Sequence, residues 1–221
     1  MSLHPRLLAA VTALLGITLF ATGSPAQTTI PSTTSSAPVA GAQLQGQALT
    51  AALRGGGYVI YFRHTATDFS RNDAGMRSYD DCDNQRLLSA RGRADAASIG
   101  PRMRELQLPV GACYARPYCR TMEHARLMLG AVTPRSEIRE ADGGDYPGLK
   151  QLLVMPVEAG TNRWIVGHGN PFRAIAGPPH LMEGEAVVIR PGGRTWTVVA
   201  RIAVGDWPTL GVEMAAPGTT R

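Results

Sequence analysis

The stretch Tyr58-Val59-Ile60-Tyr61-Phe62-Arg63-His64-Thr65 decides the fold. Its first five residues are β-branched or aromatic, as in a strand buried on both faces of a parallel sheet. The run stops abruptly at two polar residues, Arg63 and His64. Trp164-Ile165-Val166 is a second such run and ends in Gly167-His168-Gly169-Asn170. Two histidines therefore follow the carboxyl ends of two predicted strands. In open α/β sheets that edge binds ligands, and helix amino termini opening onto it favour anions.

Working outward, Leu44 to Arg54 has helical spacing and stops at Gly55-Gly56-Gly57. A polar loop runs from Ala66 to Leu88. Ser89 is a plausible N-cap for a helix through Leu108, with Gly100-Pro101 expected to break or kink it. Gly111 to Ala115 reads as a strand, Cys119 to Leu129 as a helix, Ser136 to Arg139 as a short third strand, and Tyr146 to Val157 as a helix. After His168 come a short helix and two β runs, Ala186–Ile189 and Thr195–Ala203, separated by Pro191-Gly192-Gly193. Strands alternating with helices predict a three-layer α/β/α sandwich. Its central sheet is mostly parallel, with the last two strands as an antiparallel edge.

The whole chain has 221 residues, 44% hydrophobic and 18% charged, which excludes a wholly disordered protein. Residues 1–26 read as a secretory signal: His4 and Arg6, an apolar run from Leu7 to Phe20, then small residues before Gln27. That run is short of the ~20 residues needed to cross a bilayer, so no stable membrane span is expected after cleavage. Residues 27–43 are Thr/Ser/Pro/Ala-rich and read as a disordered linker. Residues 44–214 form the domain and 215–221 a flexible tail. The expected localisation is periplasmic or secreted.

Basic residues outnumber acidic ones 22 to 17, and Lys150 is the only lysine. The arginines are scattered among acids rather than gathered in a stripe, which argues against nucleic acid as a partner. Arginine is, however, shaped to grip a phosphate monoester. Arg63 beside His64, and Arg120 just after the strand ending at Ala115, could hold a transferring phosphoryl group together with His168. Three cysteines in an exported chain suggest one disulfide. Cys113 lies in a predicted strand, so the expected bridge is Cys82–Cys119, pinning the long loop to the Arg120 segment. No Cys-x-x-Cys or His-x-x-x-His spacing occurs, and neither metal nor cofactor is expected.

These residues also carry a resemblance. Tyr61-Phe62-Arg63-His64-Thr65, Arg116-Pro117-Tyr118-Cys119-Arg120-Thr121-Met122-Glu123-His124-Ala125 and Val166-Gly167-His168-Gly169-Asn170 resemble, in order and spacing, three motifs of the histidine phosphatase superfamily, whose fold is phosphoglycerate mutase-like. The resemblance runs from about Leu44 to Val204. It implies that His64 is a nucleophile forming a phosphohistidine and that Arg63, Arg120 and His168 bind the phosphoryl oxygens. It also implies a carboxyl group in the loop after the third strand, where Glu140 is the best positional match, with Asp142 and Asp145 behind it.

The match has departures: Thr65 stands for Gly, Arg116 for Ser and His124 for Thr. His124 is expected to be a packing or surface residue on its helix, and His180 a loop residue. The Glu and Asn of mutases are absent after the first motif, which points to a phosphatase. The expected function is an exported, metal-independent phosphomonoesterase acting on a phosphorylated small molecule or envelope component. One alternative is a non-catalytic phosphate-ligand or envelope-binding protein. The other is a phosphatase of lipopolysaccharide or another surface-glycan phosphate, since Glu183 to Trp207 looks like the closing segment of bacterial envelope members. Oligomeric state has no readable signal.

Overall fold

A computed structural model describes residues 43–139 and 144–212. The expected signal at 1–26, the linker at 27–43 apart from Gln43, the tail at 215–221, and both Glu140 and Asp142 lie outside the described residues. The elements are α1 (Gly46–Gly55), β1 (Val59–Arg63), α2 (Ala90–Glu105), β2 (Val110–Ala115), α3 (Cys119–Leu129), β3 (Thr133–Pro134), α4 (Pro147–Val154), β4 (Asn162–Gly167), α5 (Gly169–Ala176), β5 (Ala186–Pro191) and β6 (Trp196–Ile202). Among the described residues, six strands form one sheet in the order β3-β2-β4-β1-β5-β6. β3, β2, β4 and β1 are mutually parallel, and β5 and β6 add the antiparallel edge.

The alternation along β1 builds two cores. Ile60 and Phe62 face one side with Trp164 and Val166, under Leu49, Leu53, Ile99, Met103 and Met128 of α1, α2 and α3. Val59 and Tyr61 face the other with Ile165 and Phe172, under Leu149, Leu152 and Leu153 of α4. Side chains two apart share a face of a strand, so helices must cover both faces. Burying each large side chain contributes roughly 2–3 kcal/mol. The three-layer arrangement expected from the sequence is the one observed.

Three local expectations are corrected. Gly100-Pro101 does not interrupt α2, which runs through both residues. A Cβ at Gly100 would lie 2.2 Å from the Met128 carbonyl oxygen, so the glycine serves the close approach of α2 to α3. The third strand is not Ser136–Arg139 but the two-residue β3, paired to Tyr114 and Ala115; Ser136–Ile138 is a 3-10 turn that buries Ile138. The proline within β3 fits its place at the sheet edge. α4 also stops at Val154, short of the expected Val157, because Met155 precedes Pro156 and takes extended backbone.

Cys82 and Cys119 are disulfide-bonded, and Cys113 is free and buried, as expected. Among the described residues, no helix is long and apolar enough to cross a membrane. Thiol titration of denatured, unreduced protein should find one free thiol, rising to three after reduction. Three thiols before reduction would reject the bridge. Cys82→Ser with Cys119→Ser should cost ~3 kcal/mol in denaturant unfolding.

Candidate active site

Parallel pairing of β1 with β4 sets Arg63 opposite Gly167, so the residues that follow, His64 and His168, emerge side by side. Their rings lie 5.2 Å apart, nearly perpendicular. The His64 N–H donates to the Gly167 carbonyl at 3.1 Å. The Tyr61 hydroxyl fixes the second histidine, donating to the His168 carbonyl at 2.8 Å and accepting from its N–H at 3.0 Å. Gly167 is required here because a Cβ would lie 2.2 Å from that hydroxyl oxygen.

The network assigns the tautomers. His64 Nδ1 is 2.9 Å from the Thr65 carbonyl oxygen, which can only accept, so Nδ1 carries the proton and Nε2 keeps its lone pair. Burial pushes the His64 pKa down to about 3, aided by the nearby Arg120 and Arg63 charges and opposed by the Thr65 hydrogen bond. The ring is therefore neutral at any physiological pH. His168 Nε2 accepts from Arg120 Nη2 at 3.0 Å, which leaves its buried Nδ1–H without a partner among the described residues. Burial, then the neighbouring His64 ring, were it protonated, and the charges of Arg120, Arg139 and Arg116 hold the His168 pKa well below the usual histidine range.

Arg120, in the first turn of α3, is 3% exposed and touches both His168 and a carboxylate. Its Nη1 and Nη2 donate to the two oxygens of Asp73 at 2.9 and 3.0 Å. Burial works against ionisation of Asp73, but hydrogen bonds from Arg120 and from the Arg86 N–H hold its carboxyl below the usual carboxylate range. Asp73 comes from the loop after β1 and was not legible as a site residue. Arg63 turns its guanidinium to the segment after α5, donating to the Leu181 carbonyl at 2.8 Å and lying 3.5 Å from Glu183. Glu183 also accepts from the Thr67 hydroxyl at 2.9 Å.

The structure thus brings His64, His168 and Arg120 together, with Arg63 beside them. Glu140, the expected acid, lies outside the described residues. Asp145 is half exposed and pairs with Lys150 at 2.5 Å rather than with the histidines.

Two departures from the signature touch each other. The Thr65 N–H donates to His124 Nδ1 at 3.2 Å, and both residues are fully buried. His124 is thus a packing residue, stacked edge-on against Phe62. Space for Thr65 is left by Gly184, whose φ of +80° and missing side chain bring its N–H to the His64 carbonyl at 2.9 Å. Among the described residues, no group of three or more His, Cys, Asp or Glu is placed to hold a metal ion.

His64, His124 and His168 protonate near pH 6.5 in the unfolded chain and far lower in the fold, at about 3 for the first two. Folding stability is complete above pH 6.5 and falls as pH drops from there toward 3, by roughly 1 kcal/mol per pH unit per histidine. His124→Asn, which can keep an acceptor for the Thr65 N–H, should reduce that pH slope by about a third in denaturant unfolding series. An unchanged slope would reject a neutral buried His124. Asp73→Asn should tighten binding of inorganic phosphate by roughly tenfold in calorimetry, because a carboxylate no longer competes for Arg120. Equal or weaker binding would show that Asp73 does not compete.

A sequence model of the Histidine phosphatase superfamily (branch 1) matches residues 59–177. Curated protein sequences gave no match. Among solved structures, the fold is similar to a protein assigned as the phosphohistidine phosphatase SixA of Agrobacterium tumefaciens. Identity is 16%, with 66% of this chain and 97% of that one covered, at a TM-score of 0.50. A protein of Escherichia coli K-12 assigned as an alpha-ribazole-5'-P phosphatase matches at 14% identity, with 72% and 100% covered and a TM-score of 0.45. The family match spans more than half of the chain and includes the strand ends that carry both histidines, and on that ground this protein belongs to the histidine phosphatase superfamily.

Proposed function

We propose that this protein is an exported, metal-independent phosphomonoesterase that works through a phosphohistidine on His64. The observation that carries the reading is the neutral His64, its Nε2 lone pair free of the Nδ1 proton, set 5.2 Å from a His168 that Arg120 holds. Nε2 attacks phosphorus in line as the bond to the leaving oxygen breaks. Arg120, Arg63 and the unpartnered His168 Nδ1–H bind the phosphoryl oxygens, so fixed donors offset the developing charge.

The leaving alkoxide takes a proton from a carboxyl group, which then accepts one from the water that cleaves the N–P bond. Glu140 remains the positional choice for that group, and Glu183, beside Arg63 and Thr67, is the described alternative. The Cys82–Cys119 disulfide supports folding in an oxidising compartment, hence export. The substrate class is a phosphorylated small molecule or an envelope phosphate, including one on lipopolysaccharide or another surface glycan. The non-catalytic, phosphate-binding alternative draws on Asp73, which already occupies Arg120.

Hydrolysis of aryl phosphates should survive a chelator and fall by at least ~10³-fold in His64→Ala. Quenched turnover should yield an acid-labile, alkali-stable phosphoenzyme that the variant lacks. Whichever of Glu140→Gln and Glu183→Gln removes the proton donor should slow alkyl phosphates by roughly 10²-fold or more and nitrophenyl phosphate far less. No turnover of any phosphomonoester by folded protein would overturn the enzyme reading in favour of the binding protein.

A further inference from the structure

The charge balance around His168 is uneven. The two arginines of the signature each have an internal counter-charge: Asp73 for Arg120 and Glu183 for Arg63. Two further arginines beside them have none among the described residues. Arg116 is 5% exposed, yet its nitrogens meet only the Ser136 carbonyl at 2.6 Å and the Tyr79 hydroxyl, and its Nε is buried without a partner. Arg139 is exposed and donates to the Tyr118 hydroxyl at 2.8 Å. Among the described residues, no carboxylate lies within ion-pairing distance of either guanidinium.

Both flank one ring. The guanidinium carbons of Arg116, Arg139 and Arg120 lie 5.6, 5.5 and 4.6 Å from the Tyr118 centroid. Tyr118 in turn meets His168 edge-on at 5.1 Å. Both charges are felt at His168, where they help to depress its pKa. A buried guanidinium without an anion is costly, and arginine stacked on aromatic faces keeps its in-plane donors for an oxyanion. Arg116 also stands where the family signature has serine, so the signature itself does not account for this charge.

We propose that Arg116 and Arg139 form a second anion subsite next to the phosphoryl site. The substrate class is then a phosphomonoester carrying another oxyanion group, a phosphate or a carboxylate, within a few bonds of the scissile phosphate. This rests on the phosphomonoesterase reading above for its reaction, and on the site geometry alone for its binding.

The test compares matched pairs on the full mature protein: fructose 1,6-bisphosphate against fructose 6-phosphate, and 3-phosphoglycerate against glycerol 3-phosphate. The anion-bearing member of at least one pair should be preferred on the order of tenfold or more in kcat/KM. The pair that shows the preference tells phosphate from carboxylate. In Arg139→Met, an exposed change that leaves the core untouched, and in Arg116→Lys, the preference ratio should fall toward one. If nothing is hydrolysed, the phosphatase reading fails by itself, and the same ratios are read as Kd by calorimetry. Ratios near one for both pairs in the parent protein, or a ratio that both variants retain, would overturn the subsite.

Discussion

The parallel pairing of β1 with β4 is the constraint from which the rest of the site follows. Hydrogen bonds in that ladder set Phe62 against Val166 and Arg63 against Gly167. The residue after each strand is then a histidine, and the next level of the ladder, His64 N–H to Gly167 carbonyl, already belongs to the site. A shift of one residue would move every side chain of β1 into the opposite layer, where Phe62 and Tyr61 would meet packing shaped for other side chains, so register is held by two cores at once. The Tyr61 hydroxyl carries this rigidity across the sheet to the His168 backbone. The geometry of the site is inherited from packing.

The sequence made the central strands legible because their apolar runs have few alternative readings, and α3 was found at Cys119–Leu129. Both histidines and Arg63 were legible because they interrupt those runs at strand ends, and Arg120 because it lies just beyond the strand ending at Ala115. The Cys82–Cys119 bridge could be named because Cys113 falls inside a strand. What failed was local propensity overruled by tertiary contact. Gly100-Pro101 looks like a break, yet the glycine is there so that α2 can approach the Met128 carbonyl. β3 is held by two residues of β2 and has no periodicity to detect. Asp73 and Tyr79 were invisible for a different reason: a polar loop of mixed composition does not say which arginine it will meet.

Two of the departures from the family signature, Thr65 and His124, are connected, and Gly184 completes their surroundings. Thr65 fills space left by Gly184 and gives its N–H to His124, and the three lie around the backbone of His64. Each looks unfavourable alone: a β-branched residue for glycine, a buried imidazole, a backbone at positive φ. Together they fill one another's volume and pair the Thr65 and Gly184 N–H groups, while the Thr65 hydroxyl and the His124 Nε2 are left without partners among the described residues. This coupling predicts non-additive effects among the three positions, since contacting residues share their energies.

The segment between Thr67 and Leu88 closes on itself. Those two residues form an antiparallel bridge, and Asp68 N–H meets the Leu87 carbonyl at 3.0 Å. It behaves as a long, self-closed loop whose neck is fixed by that isolated bridge and whose far side is tethered to α3 through sulfur. Such a segment is a cassette. Its length and side chains can change between the neck and the tether while the strands that hold the histidines keep their register. Asp73 and Tyr79, the two residues that meet Arg120 and Arg116, both lie within it. Diversification of what this scaffold accepts can therefore proceed by exchanging one module, with the folding problem already solved beneath it.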